Sequence, residues 1–122
     1  MIVTTRKNRH LGCKVVQLSS GVKTIVFVSR RSSLRSVLAQ ACLMHMGGHR
    51  FAPHSCGQPG EVAHMLHPAA VFALKKAAIP FQGAGPRSWN DLLRKGPPRV
   101  DIVVTLDERT IATQPIWPGQ PI

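Results

Sequence analysis

The sequence has no tyrosine, and its aromatic complement is four phenylalanines and two tryptophans. Single-strand nucleic-acid binders stack successive bases on aromatic side chains, so this shortage, with no recognised nucleic-acid motif, argues against such a module. Acidic residues are also scarce: five against sixteen lysines and arginines, with none before Glu61 and a net charge of +11. Such a chain draws anions in general, from phosphorylated groups to acidic macromolecules. Cysteines are few. Cys13, Cys42 and Cys56 are odd in number and lack CxxC spacing, so they describe no disulfide framework. Cys42 lies in an apolar helical pattern and is expected in the core. No apolar run approaches the roughly 18 residues that a membrane span requires. The N-terminal "MIVTTRKNRHLGCKVVQ" has neither an apolar h-region nor a small-residue cleavage site. The Arg30-Arg31 pair comes after an apolar run instead of preceding one, which is the wrong order for a twin-arginine signal. The expectation is a cytoplasmic protein without membrane contact.

What is present fits one small domain, since 122 residues allow a single core. Residues 1–22 read as a basic N-terminal extension, carrying Arg6, Lys7 and Arg9, and residues 23–122 as the domain proper. "KTIVFVS" (23–29) is β-branched and continuously apolar in its middle, as a strand buried on both faces would be. Leu38, Ala41, Cys42 and Met46 repeat at helical spacing before the stop Gly47-Gly48. "RFAPHSCG" (50–57) reads as a second strand, and Pro53 places it at a sheet edge because proline cannot donate to a central ladder. "HPAAVFALKKAAI" (67–79) has Pro68 at a first helical position, with Val71, Leu74 and Ala78 along one face. Ser88 with Asp91 three residues later is a capping-box arrangement for a helix ending at Gly96. "RVDIVVTLD" (99–107) is the third strand. The order β-α-β-α-α-β predicts a layered α/β domain with a parallel sheet.

The stretch "VSRRSSLRS" joins the first of these strands to the first helix. Loop amides and a helix N-terminus can surround a tetrahedral oxyanion, and a guanidinium can clamp it. Taken alone, the same stretch is equally a polar turn whose arginines face water. His54, Cys56, His64 and His67 are metal-ligand types, but loop histidines are commoner than ligands and His67 precedes a helix start. No metal and no cofactor is expected.

Three segments together change the balance: "IVFVSRRSSLRSVLAQACLMHMGGHRFAPHSCG", "HPAAVFALKKAAI" and "DIVVTLDERTIATQPIWPGQP". From about Lys23 to Pro121 the chain resembles the low-molecular-weight protein tyrosine phosphatases, and within them the thioredoxin-coupled arsenate reductases. The points of resemblance are Arg35-Ser36 at the helix start, the "GGHRF" turn into "HSCG", the Pro68 helix and "PIWPG". The resemblance implies a three-layer α/β fold with a parallel sheet of that type, C-terminally truncated. It also implies an oxyanion loop over Arg30, Arg31, Ser32, Ser33, Leu34, Arg35 and Ser36, accepting phosphate, sulfate or an arsenate-like anion. In that family the loop reads Cys-x5-Arg-Ser, with the cysteine attacking as a thiolate. Ser29 stands at the nucleophile position here, Arg35 at the clamping arginine, and Ser36 at the supporting hydroxyl. Arg31 and Ser32 replace a glycine and an asparagine that tolerate unusual backbone angles.

The family's two relay cysteines correspond to Asp107 and Gln114, and none of the three cysteines falls at either place. Its late Asp-Pro general acid lies beyond Ile122, leaving Asp107 and Glu108 as the nearest carboxylates. These departures imply a catalytically inactive homologue that keeps its anion loop. The alternatives are a phosphate-ester hydrolase with an unusual nucleophile and a basic module binding an anionic macromolecule. The truncation predicts that "DIVVTL" (101–106) is an exposed sheet edge, open to homo-oligomer formation, unless the N-terminal "CKVVQLS" covers it.

Overall fold

The computed structural model describes residues 2–5, 21–81, 83–119 and 121. Four strands form one sheet in the order β1-β4-β2-β3: β1 is Ile2–Thr5, β2 Lys23–Val28, β3 Phe51–Cys56 and β4 Ile102–Thr105. Strands β3, β2 and β4 are mutually parallel, whereas β1 runs antiparallel to β4. The parallel strands are joined by α1 (Arg35–Gly47), then α2 (Pro68–Lys76) and α3 (Trp89–Lys95). A 3-10 helix, Glu108–Thr113, comes after β4.

Side chains on the central strand alternate between two covered faces, which is why its apolar run is continuous. Val26, Val28, Cys56 and Val103 pack with Trp89, Leu92, Val100 and Trp117, placing α3 on one face of the sheet. On the other face the Ser55 hydroxyl donates to Gln40 Oε1 of α1 at 2.5 Å, and α1 packs along β3 and β2. Helices on both faces make the three layers. Pro53 sits in β3, which is the sheet edge, as its missing donor requires. Ser88 caps α3 by accepting from the Asp91 amide at 3.2 Å, and Pro68 opens α2.

Helix faces are less well anticipated. In α1 the buried residues are Ser36, Val37, Ala41 and Gly47, so Cys42 is only half-buried and Met46 is exposed. The buried stripe begins with a serine because the first turn of α1 faces the loop, not an apolar layer. Ala78 lies past the end of α2 and is exposed, at a φ of 56°. Among the described residues, the cysteine that does enter the core is Cys56.

The expectation of a bare edge at 101–106 is overturned. Residues Ile2 to Thr5 pair with Thr105 to Ile102 along the whole of β4. The pairing segment is therefore β1, and the "CKVVQLS" stretch lies outside the described residues. With that edge occupied, the reason for a homo-oligomer through it disappears. A chain beginning at Gly21 should lose this cover. Its amides at 102–105 are expected to exchange faster, and its sedimentation to become concentration-dependent, because an unpaired apolar edge invites another strand. Unchanged exchange at those amides would mean that β1 gives β4 no protection.

Among the described residues, no helix is long and apolar enough to cross a membrane.

Candidate functional site

The loop between β2 and α1 closes around a cavity of about 150 Å³ lined by Ser29, Arg30, Arg31, Ser33, Leu34, Arg35, His67 and Asp107. Its shape is set by where its carbonyls go. Arg30 O accepts from the Gln58 amide at 3.0 Å, Arg31 O from Ala63 at 2.9 Å, and Ser33 O from His67 at 2.9 Å. With three carbonyls fixed to the 58–67 segment, the peptide donors are left to the other side. Among the described residues, the N–H groups of Arg30, Arg31, Ser33, Leu34 and Arg35 donate to no protein acceptor. Free loop amides at the start of a 13-residue helix make a concavity of the kind that can hold an anion.

Ser32 adopts a φ of 54°, the left-handed conformation that glycine or asparagine takes more easily. The loop closes nonetheless, because its surroundings fix that residue. Ser32 is fully buried, its amide donates to Ser29 Oγ at 3.3 Å, and its own hydroxyl accepts from the Arg87 amide at 3.3 Å. The strain costs about 1–2 kcal/mol and is held by two hydrogen bonds, one within the loop and one from Arg87.

Ser29 is buried at the end of β2, with its Oγ 2.8 Å from Ser36 Oγ. Neither of its polar partners, Ser36 Oγ and the Ser32 amide, is a base able to take its proton. Cys56 sits beside it on β3, its carbonyl accepting from the Ser29 amide at 3.1 Å. Burial pushes the Cys56 thiol up to about 12, against a smaller opposite pull from Arg87, so it carries no thiolate at neutral pH.

Charged groups ring the mouth. Arg35 donates from Nη1 to Leu106 O at 2.7 Å, and its Nη2 lies 3.7 Å from Asp107 Oδ2. Asp107 is buried, and the sequence alone assigns it no part in anion binding. Its Oδ1 accepts from Arg109 N and Nε, both at 3.1 Å, and its Oδ2 accepts from Arg109 Nη2 at 3.2 Å. The Arg109 side-chain hydrogen bonds hold the Asp107 carboxyl below the usual carboxylate range, against the opposing effect of burial. An ionised Asp107 cannot donate a proton as a general acid. The two residues 107 and 109 share a 3-10 helix start, a signal that the sequence carries only once β4 has been placed. Arg30 bridges outward, with Nη1 3.7 Å from Glu61 Oε1.

Of the residues expected at the site, Ser29, Arg30, Arg31, Ser33, Leu34 and Arg35 line the cavity, while Ser32 and Ser36 are buried behind it. His67, which the sequence marks only as a metal-ligand type, also lines it. Its Nδ1 accepts from the Ala69 amide at 3.0 Å, which leaves Nε2 to carry the proton in the neutral ring. Gln114 lies outside the cavity and ties β4 to the tail: Nε2 donates to Thr105 Oγ1 at 3.0 Å, and Oε1 accepts from Trp117 Nε1 at 3.2 Å. The described residues bring together no group of three or more metal-ligating side chains.

A larger cavity of about 630 Å³ lies beside α3, lined in part by His54, Arg87 and Lys95. It contains none of the loop residues.

A family described as low molecular weight phosphotyrosine protein phosphatase matches residues 24–117. Among solved structures, the chain is similar to an arsenate reductase in a phosphate-binding state. That likeness has a TM-score of 0.57 and 23% identity, over 70% of this chain and 61% of the other. It is also similar to the thioredoxin-dependent arsenate reductase of Corynebacterium glutamicum, with a TM-score of 0.64 and 24% identity over 84% of this chain and 48% of that one. The chain thus spans about half to three-fifths of the length of these two proteins. No curated protein matches it.

Proposed function

The chain belongs to the low molecular weight phosphotyrosine protein phosphatase family, and on that premise we propose that it binds a tetrahedral oxyanion without turning it over. The observation that carries this reading is the closed loop, whose free amides and Arg35 surround a small cavity lined also by a Ser29 hydroxyl that is hydrogen-bonded to no basic side chain. Binding needs the donors, which are present. Chemistry in this family needs a thiolate, and Ser29 supplies none. The phosphate-binding state of one structural neighbour supports anion binding on this fold. Residues 23–122 are taken as the binding unit, to which β1 adds one strand.

Calorimetric titration with inorganic phosphate tests the reading. The wild-type chain should bind, and Arg35→Ala should bind about 10- to 100-fold more weakly, the loss expected for a hydrogen bond to a charged group. Equal affinities would remove Arg35 from the site. A parallel assay with p-nitrophenyl phosphate should give no turnover above the blank. Turnover that vanishes in Ser29→Ala would establish the ester-hydrolase alternative instead.

A further inference from the structure

Resting on the oxyanion reading, we propose that Asp107 selects the anion, so that the site takes protonated tetrahedral oxyanions, phosphate or arsenate, and rejects sulfate. The selection comes from hydrogen-bonding capacity. A carboxylate has roughly four lone-pair positions, and Arg109 fills two on Oδ1 and one on Oδ2 of Asp107. One position on Oδ2 stays open. The other cations near that oxygen, Arg35 Nη2 at 3.7 Å and Arg30 Nε at 3.9 Å, are beyond hydrogen-bond distance.

The side chain of Asp107 is only 5% exposed, yet it lines the cavity together with Ser29 and Arg35. The cavity wall therefore presents an open acceptor that water reaches poorly. Beside it is an unsatisfied donor: Arg30 Nε is buried and has no hydrogen-bond partner among the described residues.

A ligand that satisfies both groups must offer an anionic oxygen to the arginines and an O–H to Asp107. At neutral pH phosphate and arsenate carry both kinds of oxygen. Sulfate carries no proton, so one of its oxygens would face the carboxylate with nothing to donate. The arginines alone would not make this distinction, because they attract any small oxyanion. Arg109 keeps Asp107 ionised and hence an acceptor.

The test is calorimetric titration at neutral pH and fixed ionic strength, with potassium phosphate and potassium sulfate, on the wild type and on Asp107→Asn. Asparagine preserves size and keeps a carbonyl for the Arg109 amide, while its side-chain NH2 can donate to an unprotonated oxygen. The wild type should bind phosphate at least tenfold more tightly than sulfate, and Asp107→Asn should narrow the gap to about twofold by gaining sulfate affinity, a change of about 1 kcal/mol in discrimination. Equal wild-type affinities would overturn the selection while leaving the oxyanion reading intact. A gap that persists in Asp107→Asn would take the role away from Asp107. Phosphate binding by the variant alone would make Asp107 a plug, which also overturns the proposal. Binding of neither anion to either protein would overturn the oxyanion reading itself. If Asp107→Asn fails to fold, arsenate against selenate on the wild type makes the same comparison, and equal affinities for those two would again overturn the selection.

Discussion

Replacing Ser29 with cysteine should leave thioredoxin-coupled arsenate reduction at the level of the blank. The substitution would place a thiol against free loop amides and a helix start, surroundings that favour a thiolate. The Ser36 hydroxyl, 2.8 Å from the present Oγ, would remain in place to support it. The steps after nucleophilic attack would still lack their residues. A reduction cycle must pass oxidation to further thiols by disulfide exchange, and the positions that the family resemblance assigns to the relay hold Asp107 and Gln114. Cys56 cannot substitute, because its thiol is buried and burial pushes it up to about 12, leaving no thiolate at neutral pH. Ester hydrolysis by the same variant should also be feeble. A positioned general acid contributes about 10²–10⁴-fold, and Arg109 holds the nearest carboxyl in its ionised form. Sustained NADPH consumption in a thioredoxin-coupled assay of Ser29→Cys would show that a relay exists which the residues do not reveal.

The layered fold was legible because its signals are local. A β-branched run needs burial on both faces, Pro53 is tolerated only at an edge, and Ser88 and Pro68 sit where helix starts use them. The loop's place at a strand-to-helix junction was legible in the same way, but the stretch alone reads equally as a polar turn, and only the resemblance of the whole chain to a family marked it as a site. Other features depend on contacts distant in sequence. Strand β1 pairs with β4 across some hundred positions, and Ile2–Thr5 is too short to announce a partner. Asp107 becomes part of the cavity only when β4 has been laid beside β2, bringing Leu106 O and Asp107 up to Arg35. Ser32 shows the same limit from the opposite direction. Its residue type argues against a left-handed angle, and a tertiary hydrogen bond from Arg87, with a local one to Ser29, holds it there.

Gly57 makes that tertiary control testable. It has no positive φ, so its need for glycine is one of space. A Cβ there would lie 2.7 Å from Arg30 O, 3.0 Å from Ser32 Cβ and 3.1 Å from Ser32 N. Neither side can withdraw easily. The Gly57 amide donates to Arg87 O at 2.8 Å and its carbonyl accepts from Trp89 N at 3.0 Å, while Arg30 O is already engaged by Gln58 N at 3.0 Å. Gly57→Ala must therefore push the loop outward at the strained residue on which its closure depends. The cost expected for overpacking is about 1–3 kcal/mol, enough to lower Tm by several degrees in a domain of this size. Phosphate affinity should fall with it, because displacing Arg30 and Ser32 spreads the donors that surround the cavity. Gly85→Ala provides the control, since a Cβ there meets nothing within 4 Å. Thermal melts of both variants, with and without phosphate, give the readout: a lowered Tm and a lost phosphate response in Gly57→Ala, and neither change in Gly85→Ala. If the two variants melt and respond alike, the contact between Gly57 and the loop does not shape the site, and closure must be held by the Ser32 hydrogen bonds alone.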